Sequence, residues 1–307
     1  MGFEFTLNGR IMRVEDAATT TTLLDYLRSA GLTGSKEGCA EGDCGACSCA
    51  VVEKNVAGAT TYRTVNSCIA LLPMFAGREV VTVEGLAKEG APLHPVQSAM
   101  VNNYGSQCGY CTPGFVMAMF EGFYRRDCQG AAGISDQLGG NLCRCTGYRA
   151  IRDAALDAYA QREETAASGT DAFGQRLESP VATPAALDYA ADNGRFVRPT
   201  SLADLFAALK SHPKAALIAG ATEIGVDVTK KFRSFPLLIA TDAVRAMIRD
   251  GKTHQLRSAI AGGRVLGMRT LETSLSELVV RRVVSADAAR SHANRPAEIR
   301  DLERAAG

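Results

Sequence analysis

The chain reads as α+β, laid out in successive parts: a small mixed domain over residues 1–87, a helical domain over 88–165, a linker at 166–194 and a further α+β region over 195–307. Three observations carry that reading. Alternation of apolar and polar residues opens the chain, helical periodicity replaces it after about His94, and eight of the ten cysteines fall into two groups of four, one in each of the first two parts.

Phe3, Phe5 and Leu7 alternate with Glu4 and Thr6, as a half-buried strand does. Asn8-Gly9 is a two-residue hairpin turn, and Ile11, Met12 and Val14 predict the return strand. Thr19 to Thr22 offer N-cap hydroxyls to a helix whose apolar face is Leu23, Leu24 and Leu27, with Gly31 suited to follow its end. Ala50-Val51-Val52, Thr61–Val65 and Glu79–Val83 predict three more strands. Behind His94 and Pro95 the pattern changes. Phe115, Met119 and Phe123 share one helical face; Ile151, Ala155, Leu156 and Tyr159 share another. From about Thr165 to Asn193, Ala, Ser, Thr and Pro dominate without a period, which predicts a linker ordered by docking. Leu202, Leu205 and Leu209 then suggest a helix, Ala216–Ile218 a short buried strand, and Gly220 to Gly225 a turn.

A net charge of +1 leaves no strongly basic face for nucleic acid, and the four histidines are scattered. No run of about 18 apolar residues predicts a membrane span. The N-terminus has neither basic head nor apolar core, so a cytoplasmic location without export is expected. Cysteines in such a chain are expected as ligands rather than disulfides.

Cys39, Cys44 and Cys47, completed by Cys68, have the C-x4-C-x2-C…C spacing of plant-type 2Fe-2S sites. Cys108 and Cys111, completed by Cys143 and Cys145, supply a second set of four. Four thiolates are what a 2Fe-2S cluster needs. Such a cluster is anionic, so its burial requires backbone N–H donors around the sulfurs. Gly38, Gly42 and Gly45 let one loop curl closely, and helices starting beside Cys111 and Cys145 would point positive ends at the other cluster. Zinc is the competing occupant, although its sites favour two short C-x2-4-C hooks. Cys49 and Cys128 read as ordinary thiols, with Cys49 the one stand-in ligand; Met117 and Met119 read as core, and His94 as a cap or packing group before Pro95.

The stretches Lys36–Cys47, Gln107–Phe115 and Gly140–Tyr148 resemble the iron–sulfur portion of the molybdenum hydroxylases. That resemblance implies a β-grasp, ferredoxin-like domain followed by a four-helix domain, each holding one 2Fe-2S cluster on the cysteine sets above. Arg195–Pro199 and Leu217–Gly225 resemble the opening of the FAD domain (PCMH-type) of the xanthine dehydrogenase branch, in the layout of its bacterial small subunit. Leu217, Ile218, Ala219, Gly220, Ala221, Thr222, Glu223 and Ile224 would then border the flavin pyrophosphate, where small residues expose N–H groups to an anion. Family flavin domains run longer and carry a second glycine-rich stretch of Gly-Gly-Asn type; here Ala261-Gly262-Gly263-Arg264 stands instead. Beyond about Asp250 the chain is arginine-rich and no resemblance is evident, so an incomplete flavin domain, a truncated or frame-shifted end and a poorly packed basic tail are expected.

The function implied is electron transfer. A separate molybdopterin-binding subunit, in a heterotetramer, would hydroxylate hypoxanthine or xanthine, and electrons would pass through the helical-domain cluster, the ferredoxin-like cluster and FAD to NAD. No catalytic acid or base is expected here. Two alternatives stand beside it: the small subunit of an aldehyde-, isoquinoline- or carbon monoxide-oxidising relative, and a non-enzymatic zinc-binding or docking module.

Overall fold

The computed structural model describes residues 2–55, 57–87, 90–241, 271–293 and 296–299. It divides into two units, Met1–Pro199 with Ala215–Thr241, and Thr200–Lys214 with Asp242–Gly307.

The first unit opens with the predicted hairpin, β1 (Phe3–Leu7) and β2 (Arg10–Val14), turning at Asn8 and Gly9, both at positive φ. Helix α1 (Leu23–Ser29) is capped by Thr22, whose hydroxyl accepts from the Asp25 N–H at 3.1 Å, and buries Leu23, Leu24 and Leu27. Strands β3 (Ser48–Lys54), β4 (Thr60–Asn66) and β5 (Glu79–Val81) complete a sheet of order β2-β1-β5-β3-β4, with β1 and β5 parallel. The predicted last strand is shorter than expected because the chain enters a 3-10 turn at Val83.

Strand β3 is buried on both faces, and its alternation assigns the two sides. Cys49 and Val51 face the core containing Leu23 and Leu27; Ala50 and Val52 face the helices that follow. Those helices are α2 (Pro95–Asn102), α3 (Thr112–Phe123), α4 (Gly130–Leu138) and α5 (Arg149–Ala160), the four-helix domain that was expected. Phe115, Met117, Met119 and Phe120 of α3 are fully buried, and the cluster they form takes in Ala50, Val52, Tyr62 and Val81 of the sheet. The helical core therefore extends onto one face of the sheet, while the other face closes a core of its own over α1. On α5, Ile151, Ala155 and Tyr159 are buried as expected, but Leu156 lies on the exposed side.

His94 caps α2. Its Nδ1 accepts from the Val96 N–H at 3.3 Å, which leaves the proton on Nε2 to donate to Tyr124 Oη at 3.1 Å. Tyr124 in turn donates to Asp171 Oδ1 at 2.7 Å, and Asp171 caps α7 (Ala172–Glu178). Burial pushes the His94 imidazole down to about 4, so it is neutral in this relay.

The stretch predicted as a linker follows α6 (Arg162–Ala167) and carries α7 and β6 (Leu187–Ala191). It is held by docking: Tyr62 Oη donates to the Phe173 carbonyl at 3.1 Å, and Arg176 pairs with Glu79 at 2.8 Å. Strand β6 pairs with β7 (Gly194–Arg198), and with β8 (Ala216–Ile218) and β9 (Leu237–Ala240) they build a second sheet of order β6-β7-β9-β8. Tyr189 of β6 lies edge-on to Phe3 at 4.9 Å between ring centroids, which seats this sheet on the ferredoxin-like part.

In the second unit α8 (Leu202–Ser211) buries Leu205 and Leu209. Helices α10 (Leu271–Val280) and α11 (Ala286–His292) enclose a small core of Val279, Ala289 and Ile299. The expected poorly packed tail is thus packed over these residues, because Leu275 and Val279, one turn apart, and Val284 in the turn after α10 pack on the same cluster among the arginines. Ala261 to Arg264 lie outside the described residues.

Candidate metal centres and flavin turn

The loop from Lys36 to Cys47 joins α1 to β3, and Cys68 follows β4, so strand pairing brings the fourth thiol to the loop. The thiols lie in pairs. Cys39 accepts the Cys44 N–H at 3.4 Å and the Glu41 N–H at 3.5 Å, and its thiol lies within hydrogen-bonding reach of the Cys44 thiol. The free thiols of Cys47 and Cys68 lie within hydrogen-bonding reach of each other, and the Cys39 charge is felt at Cys68. Ser67 donates to the Cys47 carbonyl at 2.7 Å, and a Cβ on Gly38 would stand 2.7 Å from Cys44 Sγ. Glycine there makes room for the sulfur.

The second set is arranged likewise. Cys111 meets Cys143, and Cys108 meets Cys145. Cys111 is the N-cap of α3, as expected; α5, however, begins only at Arg149, so Cys145 sits in the loop before it. Tyr148, at φ +66°, turns its hydroxyl to accept the Cys143 N–H at 3.0 Å. An aromatic residue in that backbone region is strained, and the hydrogen bond to a candidate ligand offsets the strain.

Electrostatics favours anionic sulfur at some members. The hydrogen bond from Cys68, helped by Ser67 and backbone N–H groups, brings Cys47 down to about 7. Burial raises Cys39, but the N–H groups of Glu41, Cys44 and Asp43 outweigh it and the net shift is downward. Cys143 is also lowered, burial being outweighed by Thr146 and backbone N–H groups, whereas burial first and the Cys143 neighbour second push Cys111 up to about 12. Among the described residues no three Cys, His, Asp or Glu side chains converge on one ion-sized point. Two thiols beside two thiols suit a binuclear centre, in which each iron takes two protein sulfurs and two bridging sulfides. The donor set fits a 2Fe-2S cluster at each place. Cys49 points away, toward the Val65 carbonyl, within the core on the other side, and Cys128 is buried against the Gly133 carbonyl.

The two loops touch. Leu142 N–H donates to the Cys44 carbonyl at 3.0 Å, and Asn141 Nδ2 donates to the Gly45 carbonyl at 3.0 Å. The second set has an open edge: Cys108 and Cys145 are exposed, with Tyr110, Leu142 and Tyr148 half exposed nearby in sequence. The first set is closed in on one side, with Cys47, Cys68 and Ile69 packed against Leu24 and Val226, while Cys39 and Cys44 are half-buried.

Val226 belongs to α9 (Ile224–Lys231), the helix that leaves the predicted flavin turn. Leu217, Ala219, Gly220, Thr222 and Glu223 are exposed there, Ile224 is half-buried, and Ile218 and Ala221 anchor the turn. No side chain caps α9, and the position of a Gly220 Cβ is open space. An open turn of small residues at an uncapped helix start fits a pyrophosphate. Helix α9 also docks on the first cysteine loop: Thr229 donates to the Ala40 carbonyl at 2.7 Å, and a Cβ on Gly225 would overlap the Ile69 carbonyl. Asn141, Gly114, Gly225 and Thr229 escaped the sequence reading. Asn141, Gly114 and Gly225 had a signal, their places inside the stretches Gly140–Tyr148, Gln107–Phe115 and the glycine turn; Thr229 had none.

Comparison with known proteins agrees with this geometry. Residues 5–72 match the 2Fe-2S iron-sulfur cluster binding domain, 82–156 the 2Fe-2S binding domain, and 190–293 the FAD binding domain in molybdopterin dehydrogenase. Two cluster-binding domains and an FAD-binding domain in one chain define an electron-transfer protein. The match to residue 293 carries the likeness well past Asp250, where the sequence reading saw none. Xanthine dehydrogenase 2 of Arabidopsis thaliana is 31% identical over 293 residues, covering 78% of this chain and 22% of that protein. Aldehyde oxidase 1 of Oryctolagus cuniculus is 28% identical over 318 residues, covering 90% and 24%. Quinoline 2-oxidoreductase from Pseudomonas putida 86 is 32% identical, with 53% of this chain and 96% of that one covered at a TM-score of 0.46. The chain belongs to the molybdenum hydroxylase family, as its iron–sulfur and FAD part, and spans about a fifth of the length of its xanthine dehydrogenase relatives. Among the described residues no helix is long and apolar enough to cross a membrane.

Proposed function

We propose that this chain is the electron-transfer subunit of a xanthine dehydrogenase-type enzyme, with Cys39, Cys44, Cys47 and Cys68 holding one cluster and Cys108, Cys111, Cys143 and Cys145 the other. When bound, each cluster supplies a one-electron carrier. The observation that carries the reading is the pairing of two four-thiol sets joined back to back by the Leu142–Cys44 hydrogen bond. The exposed Cys108/Cys145 edge supports entry of electrons from a molybdopterin-binding partner, and the Ile69–Gly225 contact supports their exit toward the turn at 217–224. FAD there and NAD beyond it complete the proposed relay, in a heterotetramer. No residue of this chain is assigned acid–base work.

Reconstitution with the molybdopterin subunit under nitrogen tests this. Hypoxanthine or xanthine should bleach the visible cluster absorption, and NAD should restore it. Since the likeness to aldehyde oxidase 1 is as broad as that to a xanthine dehydrogenase, 90% against 89% of the chain, the second reading is the same relay serving an aldehyde-oxidising partner. Bleaching by an aldehyde and not by a purine would select it.

A further inference from the structure

We propose that Asn141, with Gly45 and Gly114, sets the distance between the two clusters. The inference rests on the ligand assignment above and concerns three residues that hold no metal.

Gly45 lies in the first cysteine loop, between Cys44 and Cys47, at φ +68°. Its carbonyl accepts from Asn141 Nδ2 at 3.0 Å, from Ser48 N–H at 3.1 Å and from Ser48 Oγ at 2.8 Å. Asn141 is buried, at 5% exposure, two residues before Cys143. The backbones here are as close as they can come. A Cβ on Gly45 would collide with the Asn141 amide and the Gly140 carbonyl, and a Cβ on Gly114, in the first turn of α3 beyond Cys111, would overlap the Gly45 carbonyl itself. These close contacts are to backbone or to a buried amide, so they yield only if the loops separate. One carbonyl of the first ligand loop is thus held between both ligand segments of the second set: α3, which follows Cys111, and the loop that leads to Cys143. Electron tunnelling falls exponentially with separation, so a junction without side-chain bulk at the point of closest approach is what a fast relay needs. The amide of Asn141 then acts as a positioning group: it donates to the other loop's carbonyl instead of to a ligand sulfur.

The iron-loaded, full-length protein provides the test. Electron paramagnetic resonance of the fully reduced protein reads the magnetic splitting between the two clusters, which falls as the inverse cube of their separation. Asn141→Ala removes the amide donor, Asn141→Asp turns an acceptor toward the Gly45 carbonyl, and Gly114→Ala inserts the missing carbon. All three should keep the iron content of the wild type and show a clearly reduced splitting, with Asn141→Asp the more severe of the Asn141 pair. Iron-replete variants with unchanged splitting would overturn the inference, as would loss of the second cluster alone in all three, which would mean that Asn141 merely braces its own loop. A wild type lacking two signals fails the ligand assignment instead, and takes the inference down with it.

Discussion

The relay His94–Tyr124–Asp171 makes stability depend on pH in a calculable way. The imidazole titrates at 6.5 when exposed and at about 4 when folded, burial being the dominant cause, with Asp171 opposing it in part. A base whose folded value is depressed binds protons more readily when unfolded, so its protonation below 6.5 pulls toward the unfolded chain. The neutral form is also required by geometry. Nδ1 accepts from Val96, and a proton there would break the cap of α2. Between pH 7 and pH 5 the linkage amounts to about 2 kcal/mol of lost stability from this one residue. Asn is a good N-cap, so His94→Asn should keep α2 capped, cost about 1 kcal/mol at pH 7 through the lost Tyr124 partner, and flatten the dependence between pH 7 and pH 5. Urea unfolding of iron-loaded wild type and variant at the two pH values is the assay. Equal losses in both proteins would refute the relay.

Other expectations follow from the same contacts. Cys47→Ser should abolish the first cluster's resonance while leaving the second, and Cys108→Ser the reverse, each lowering iron to about half of the wild-type content. Gly225→Ala forces α9 off the Ile69 carbonyl and should destabilise that docking by about 1–3 kcal/mol, seen as loosened amide protection over 224–231 and weaker flavin retention. Thr229→Val removes the hydroxyl shared between the Ala40 and Gly225 carbonyls and should cost about 1 kcal/mol by the same measure.

What was legible in the chain follows from what is local. Asn8-Gly9, Thr22 with Leu23, Leu24 and Leu27, and the cysteine spacings each state their structure within a few residues, and the structure places them accordingly. What was hidden depends on contacts far apart in sequence. Nothing near Ala50 or Val52 announces that they pack under α3, so the face of the sheet that joins the helical core is not legible locally. Helix α7 has weak periodicity and exists because Tyr62, Glu79 and Tyr124 hold it. Leu156 fits the apolar face of α5 by type, yet it stays 38% exposed. Gly114 and Gly225 have helical surroundings and look dispensable until the neighbouring backbone is seen against them. In the arginine-rich tail, Val279, Ala289 and Ile299 come from separate elements and meet only in the fold, so abundant charge hides them.

Iron and acid-labile sulfide counted per purified chain, alongside resonance after dithionite reduction, bear most directly on the central claim of two thiolate-held clusters. About four irons with matching sulfide and two distinguishable resonances are predicted. A colourless protein carrying zinc, or one showing a single resonance at half that iron content when fully loaded, would contradict it.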